Sequence, residues 1–174
     1  RHGDGETPER IGLKDPLRVG DVIDTGSRGR VQLSFKDGSI ISLGRETTIE
    51  ITHYEYDPSE SKAGMETDVK QGFFRVLGGA ITKMAPGNFK THTPTATIGV
   101  RGSYYAGEAT PERTRVAFLG GQGIFLENDL GTLELDQAGD VGEAGGDAPP
   151  EEVDDDQFVQ DALDQTGVAG SDEH

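Results

Sequence analysis

Hydrophobic positions recur at every second residue along much of this chain, the period of half-buried strands and not of helices. Val31, Leu33 and Phe35 alternate with Gln32, Ser34 and Lys36. Asp37-Gly38 follows and predicts a type I′ hairpin turn, from which Ile40, Ile41 and Leu43 return. After a turn at Gly44-Arg45-Glu46, Thr47 to His53 predicts a third strand with Ile49 and Ile51 inward. Tyr54 to Asp68 is polar and mixed, and reads as a long loop with room for one strand. Phe73, Phe74, Val76, Leu77 and Ile81 predict a strand pair about a Gly78-Gly79 bend. Thr114 to Leu119, Ile124 to Leu126 and Leu133 to Leu135 predict three more strands, with turns at Gly120–Gly123 and Asn128–Gly131. Leu13, Leu17, Val19, Val22 and Ile23 mark a first β region, closed by a Thr25–Gly29 loop. Helical spacing is clear once, for Phe158, Val159, Ala162 and Leu163. A helix that short must dock to persist.

The stretch Asn88 to Gly107 organises the rest. It begins as a strand, breaks at Thr93-Pro94, restarts at Thr95–Val100 and bends at Arg101-Gly102. β-Branched residues with one Pro and a bend glycine suit two kinked strands. A faint echo relates Val31–Leu43 to Gly123–Leu135, each strand, turn and strand, as hairpins in general do. The expected fold is all-β, short antiparallel strands stacked as a roll or small sandwich. An irregular leader (1–12) precedes the β domain (13–137). An acidic Gly/Pro linker (138–153) then leads to a short helix and acidic tail (154–174).

Composition sharpens this. Hydrophobic residues at 32% and 26 glycines without a fixed period imply a thin, turn-rich core. The net charge of −16 is lopsided: residues 1–115 hold all 16 Lys and Arg with 16 of the 32 acids, and no cation follows Arg115. That argues against a nucleic-acid partner, since phosphate contacts need Lys and Arg. An acidic tail is ordinarily a solvated segment, and it can also meet cations or a basic partner. Without Cys there is neither a disulfide nor a thiolate metal site. No apolar run is long enough to span a bilayer. The first residue is Arg1, so the chain reads as a mature or excised fragment, from which a signal peptide or anchor could be missing.

Four segments in order resemble the FecR domain family: Gly20-Asp21-Val22-Ile23-Asp24-Thr25-Gly26, Phe35 to Leu43 with Asp37-Gly38-Ser39, Gly72-Phe73-Phe74-Arg75-Val76, and His92 to Gly102 with Thr93-Pro94-Thr95 and Arg101-Gly102. The resemblance covers roughly residues 13–137 and implies an all-β extracytoplasmic module of bacteria. Its best-known members are membrane-spanning regulators that sense an outer-membrane receptor and control a sigma factor. This chain has neither their transmembrane helix nor their cytoplasmic helical segment. Some of those regulators are cleaved at a Gly-Thr bond, and Gly102-Ser103 stands at the equivalent bend.

Candidate chemistry is sparse. The Ser103 hydroxyl could attack the preceding carbonyl to give a hydrolysable ester, with Gly102 leaving room; the plainer reading is a small residue at a bend. His53 and His92 lack clustered co-ligands and read as strand-face residues. Asp154, Asp155 and Asp156, with Glu151 and Glu152, could attract Ca²⁺ weakly but lack the ligand spacing and fixed glycine of a calcium loop. Tyr54, Tyr56, Tyr104 and Tyr105 could line a sugar or peptide surface, or form ordinary cross-strand pairs. No cofactor and no catalytic set is expected. The expected function is a non-catalytic extracytoplasmic interaction or scaffold module with protein partners, able to self-assemble head to tail at the cell surface. The alternatives are a periplasmic sensor module of a sigma-factor regulator and an autoproteolytic module.

Overall fold

One strand runs through both halves of the molecule. In the computed structural model, which describes residues 16–27 and 29–167, β5 spans Lys62–Leu77. Its first part pairs with β4 (Thr48–Asp57) and, in parallel, with β6 (Phe89–His92). Its last part, from Gly72, pairs with β3 (Ile40–Leu43) and β8 (Ser103–Ala109). The strand changes partners at Gly72, where φ is +106° and a Cβ would stand 2.2 Å from Thr47 Oγ1. Only glycine tolerates that backbone and that space, so Gly72 is the corner of the fold.

Around β5 the order on one side is β1 (Val22–Asp24), β4, β5, β6, β7 (Thr97–Val100), β10 (Ile124–Asn128) and β11 (Gly131–Leu135). On the other it is β2 (Val31–Ser34), β3, β5, β8, β9 (Thr114–Gly121), β12 (Val141–Ala144) and β13 (Glu151–Val153). Both inner faces meet in one core, with Phe74, Tyr105 and Phe118 from one side against Ile98, Ile124 and Leu126 from the other. All six are at most 1% exposed. At about 1.5–3 kcal/mol for each buried large side chain, this layer is the main stabilising term, and the sheet wraps it into a nearly closed barrel.

The all-β architecture and the C-terminal helix match the sequence expectation, and several local expectations change. Tyr54 to Asp68 is not a loop: β4 and β5 continue through it as a long hairpin, turning at Pro58–Glu60. Met65, Thr67 and Val69 alternate inward while Glu66, Asp68 and Lys70 stay outward, and a bulge at Thr52 masks the period of β4. Asp37-Gly38 is not type I′, because only Gly38 has positive φ (+91°); Gly38 N donates to Phe35 O, closing a longer loop. Beyond Gly78-Gly79 no strand returns. Ala80–Met84 forms a short helix, α1, that seats Ile81 in the core. Leu17 and Val19 precede β1 without joining it, and Leu13, the leader and residues 168–174 lie outside the described residues.

The Gly-rich stretch 138–153 carries β12 and β13 where a linker was expected. Val141 and Ala144 are buried, and a Cβ on Gly142 would stand 2.9 Å from Leu133. The glycine that reads as flexible in sequence is the one that lets β12 close on the core. Helix α2 (Asp156–Thr166) then docks on the outer side of β5, β8 and β9, placing Phe158 and Ala162 over Ala106, Ala117 and Val141. The two echoing hairpins, β2–β3 and β10–β11, each end a row of strands, in opposite halves.

Candidate functional site

The residues of the recurring motifs sit at turns and strand ends, and their side chains tie those turns to distant backbone. Asp21 Oδ2 accepts from Arg18 N at 2.7 Å. Thr25 Oγ1 donates to Gly44 O at 2.7 Å and accepts from Thr47 N at 3.0 Å. Asp37 is 7% exposed and its carboxylate accepts from Ser39 N, Ser39 Oγ, the Tyr54 hydroxyl and Ile81 N. Thr93 and Thr95 each share a hydrogen bond with the buried Thr114 hydroxyl, at 2.6 and 2.7 Å, and Thr95 also donates to Ala144 O. Pro94 lies exposed in the turn between them. Gly20 and Gly102 supply positive φ at the entry to β1 and at the corner between β7 and β8. A motif of this kind encodes a fold more directly than a reaction.

Ser103 is 8% exposed, and its hydroxyl donates to Gly123 O across the β8–β9 corner. The Gly102 carbonyl accepts from Gln122 N. No imidazole or carboxylate is among the hydrogen-bond partners of Ser103 in the described structure. Asp155 caps α2, accepting from Phe158 N at 3.0 Å and from Arg115 at 3.1 Å; Asp154 and Asp156 beside it are exposed. Among the described residues no three His, Asp or Glu side chains are grouped so as to hold a metal ion. Tyr54 and Tyr56 pack against the core, and Tyr105 lies within it, bonded to Thr91 at 2.7 Å. Burial, foremost, pushes the Tyr54 phenol up to about 12, and it raises that of Tyr105 as well. Tyr104 accepts from Arg75 at 3.3 Å.

A polar array missing from the sequence reading lies on the outer face of β5, β6 and β7. His92 Nε2 meets Glu66 Oε1 at 2.7 Å and His92 Nδ1 meets Thr97 Oγ1 at 3.0 Å. The hydrogen bond from His92 is the first cause holding the Glu66 carboxyl below its ordinary value. His92 and Thr97 are register partners on β6 and β7, and Glu66 lies diagonally across from His92 on β5, where its own partner is Lys90. The parallel pairing of β5 with β6 that aligns them has no signature in the sequence. Next to them Arg101 pairs with Glu134 at 2.7 Å and lies 4.8 Å above the Phe125 ring. The array is an open surface. Two hollows elsewhere are shallow: one of about 550 Å³ between Arg45, Glu46, Phe73 and Glu108, and an acidic one of about 420 Å³ beside Asp140, Glu152 and Asp154. Chemically, this surface can orient hydrogen-bonding groups toward a broad ligand. It does not enclose a small one.

The family model for FecR protein matches residues 21–122. No curated protein matches the chain significantly. Two crystal structures of a candidate anti-sigma factor from Parabacteroides distasonis share the fold. The one at 2.50 Å resolution has a TM-score of 0.64 at 15% identity over 85% of this chain. The one at 1.65 Å has a TM-score of 0.60 at 16% identity over 82%. The chain covers 66% and 64% of those two chains. At such identity the likeness is one of fold. No helix among the described residues is long and apolar enough to cross a membrane. The family match spans more than half of the 174 residues, and the protein belongs to the FecR family.

Proposed function

We propose that this chain is the extracytoplasmic sensing domain of a bacterial sigma-factor regulator, a non-catalytic module that passes a signal through contacts with other proteins. The observation that carries this is the FecR match over residues 21–122 on a fold shared with candidate anti-sigma factors. The geometry supports it: broad strand faces, shallow hollows, and motif side chains engaged in holding turns. Replacing the chromosomal copy with one lacking residues 16–167 tests it by transcript profiling. One sigma-dependent set of genes should change together. A profile indistinguishable from wild type under every envelope stress applied would refute it.

A scaffold that assembles with itself is the second reading, favoured by open strand edges at β2 and β13, each paired on one side. Light scattering over a concentration series separates it, since a mass that stays monomeric leaves no assembly to explain.

A further inference from the structure

The two broad outer faces are unlike. On the side of β8, β9 and β12, Ala106, Ala117 and Val141 are buried beneath α2. On the other side Glu66, Asp68, Lys70, Lys90, His92, Thr97, Phe125, Glu127, Thr132 and Glu134, outward on β5, β6, β7, β10 and β11, are partly to fully exposed. Register orders them into rows. Glu66, Lys90, Gly99, Phe125 and Glu134 follow one another from β5 to β11, and Asp68, His92, Thr97, Glu127 and Thr132 form the next row.

These groups are held in place before anything binds. His92 ties one row to the other through Glu66 and Thr97. Arg101 is fixed by Glu134 and by the Phe125 ring. Gly99 has no side chain, and a Cβ there would stand 3.9 Å from the Phe125 ring, so a notch opens beside the aromatic group. Prefixed side chains lose little entropy on association. An aromatic paired with Arg is the type of anchor that dominates protein interfaces.

We infer that this face is the docking surface for a second protein whose contact region is basic. The inference rests on the reading above in one respect, that a protein partner exists. The sign of the charge selects the partner. Glu50, Glu55, Asp57, Glu66, Asp68, Glu127 and Glu134 outnumber Lys62, Lys70, Lys90 and Arg101 on this face. Lys70 is already shared between Glu50 and Asp68, at 3.5 and 3.3 Å. A partner bringing Lys and Arg gains complementarity and a faster encounter. A second copy of this chain would set the same acids against each other, which is unfavourable.

Site-specific photo-cross-linking tests this in the full-length protein in its own host. A benzoylphenylalanine is placed at Lys90 or Thr132 on the face, or at the exposed Ser59 or Gln160 elsewhere. One envelope protein is expected from Lys90 and Thr132, at least five-fold above the yield from Ser59 and Gln160, through a peptide of net positive charge. Phe125→Ala should lower that yield at least five-fold with an unchanged melting profile, and Glu127→Lys does the same should Phe125→Ala fail to fold. The inference is overturned by stronger cross-linking from Ser59 or Gln160, by an acidic contact peptide, or by capture of a second copy. The sensing reading would survive a partner found elsewhere. No cross-link from any position would count against both.

Discussion

Asp37 holds a carboxylate among donors from three places: Ser39 two residues on, Tyr54 at a separation of 17 and Ile81 at a separation of 44. Removing the carboxylate leaves buried donors without partners. Asp37→Ala is therefore expected to cost about 3 kcal/mol or more in urea unfolding. Asp37→Asn, which keeps part of the acceptor set, should cost less. Tyr54, beside that carboxylate, has its pKa raised to about 12, with burial as the first cause. A phenol whose folded pKa exceeds its unfolded value contributes stability that is complete below about 10 and disappears as pH climbs through about 12. Alkaline unfolding should steepen in that window, and Tyr54→Phe should flatten it. The Asp-Gly-Ser triplet was legible as a hairpin turn. The reach of Asp37 to Tyr54 and Ile81 was not, because only the packed fold brings those donors together.

Two elements decide the architecture. β5 serves both halves because Gly72 turns it, and Gly72→Ala would push a Cβ onto Thr47 in a backbone region unfavourable to side chains. That variant should lose about 3 kcal/mol or fail to fold, read by thermal melting. Helix α2 has no basic residue in its last turn. The sheet supplies them: Arg75 donates to Thr166 O and Arg30 to Gly167 O, both at 3.0 Å, while Arg115 pairs with the capping Asp155. Cations at its C-terminal end and a carboxylate at its first turn both suit the helix dipole. Asp155→Ala should cost about 1–2 kcal/mol, measured by unfolding together with the loss of helical circular dichroism. The helix itself was legible from the spacing of Phe158 and Ala162. Its docking surface was not, since Ala106 and Ala117 carry no sign in sequence that a helix covers them. β12 escaped notice for a similar reason: Gly142 and its acidic neighbours have the composition of a linker, whereas their packing is that of a strand.

At the scale of the whole molecule, one face is closed by the protein's own helix and the other presents fixed polar and aromatic groups. Most of the strand pattern and the FecR resemblance could be read from period-2 alternation and short turn motifs. The face that carries the proposed contact could not. Glu66, His92 and Thr97 meet through a parallel pairing that no local signal announces. The most direct measurement is the transcript profile of the host carrying Phe125→Ala together with His92→Ala, with the protein shown to be folded and at normal abundance. The account predicts that the genes affected by deleting residues 16–167 shift in the same direction and by a comparable factor. A profile matching wild type, while the deletion strain changes, would contradict the assignment of signalling to this face.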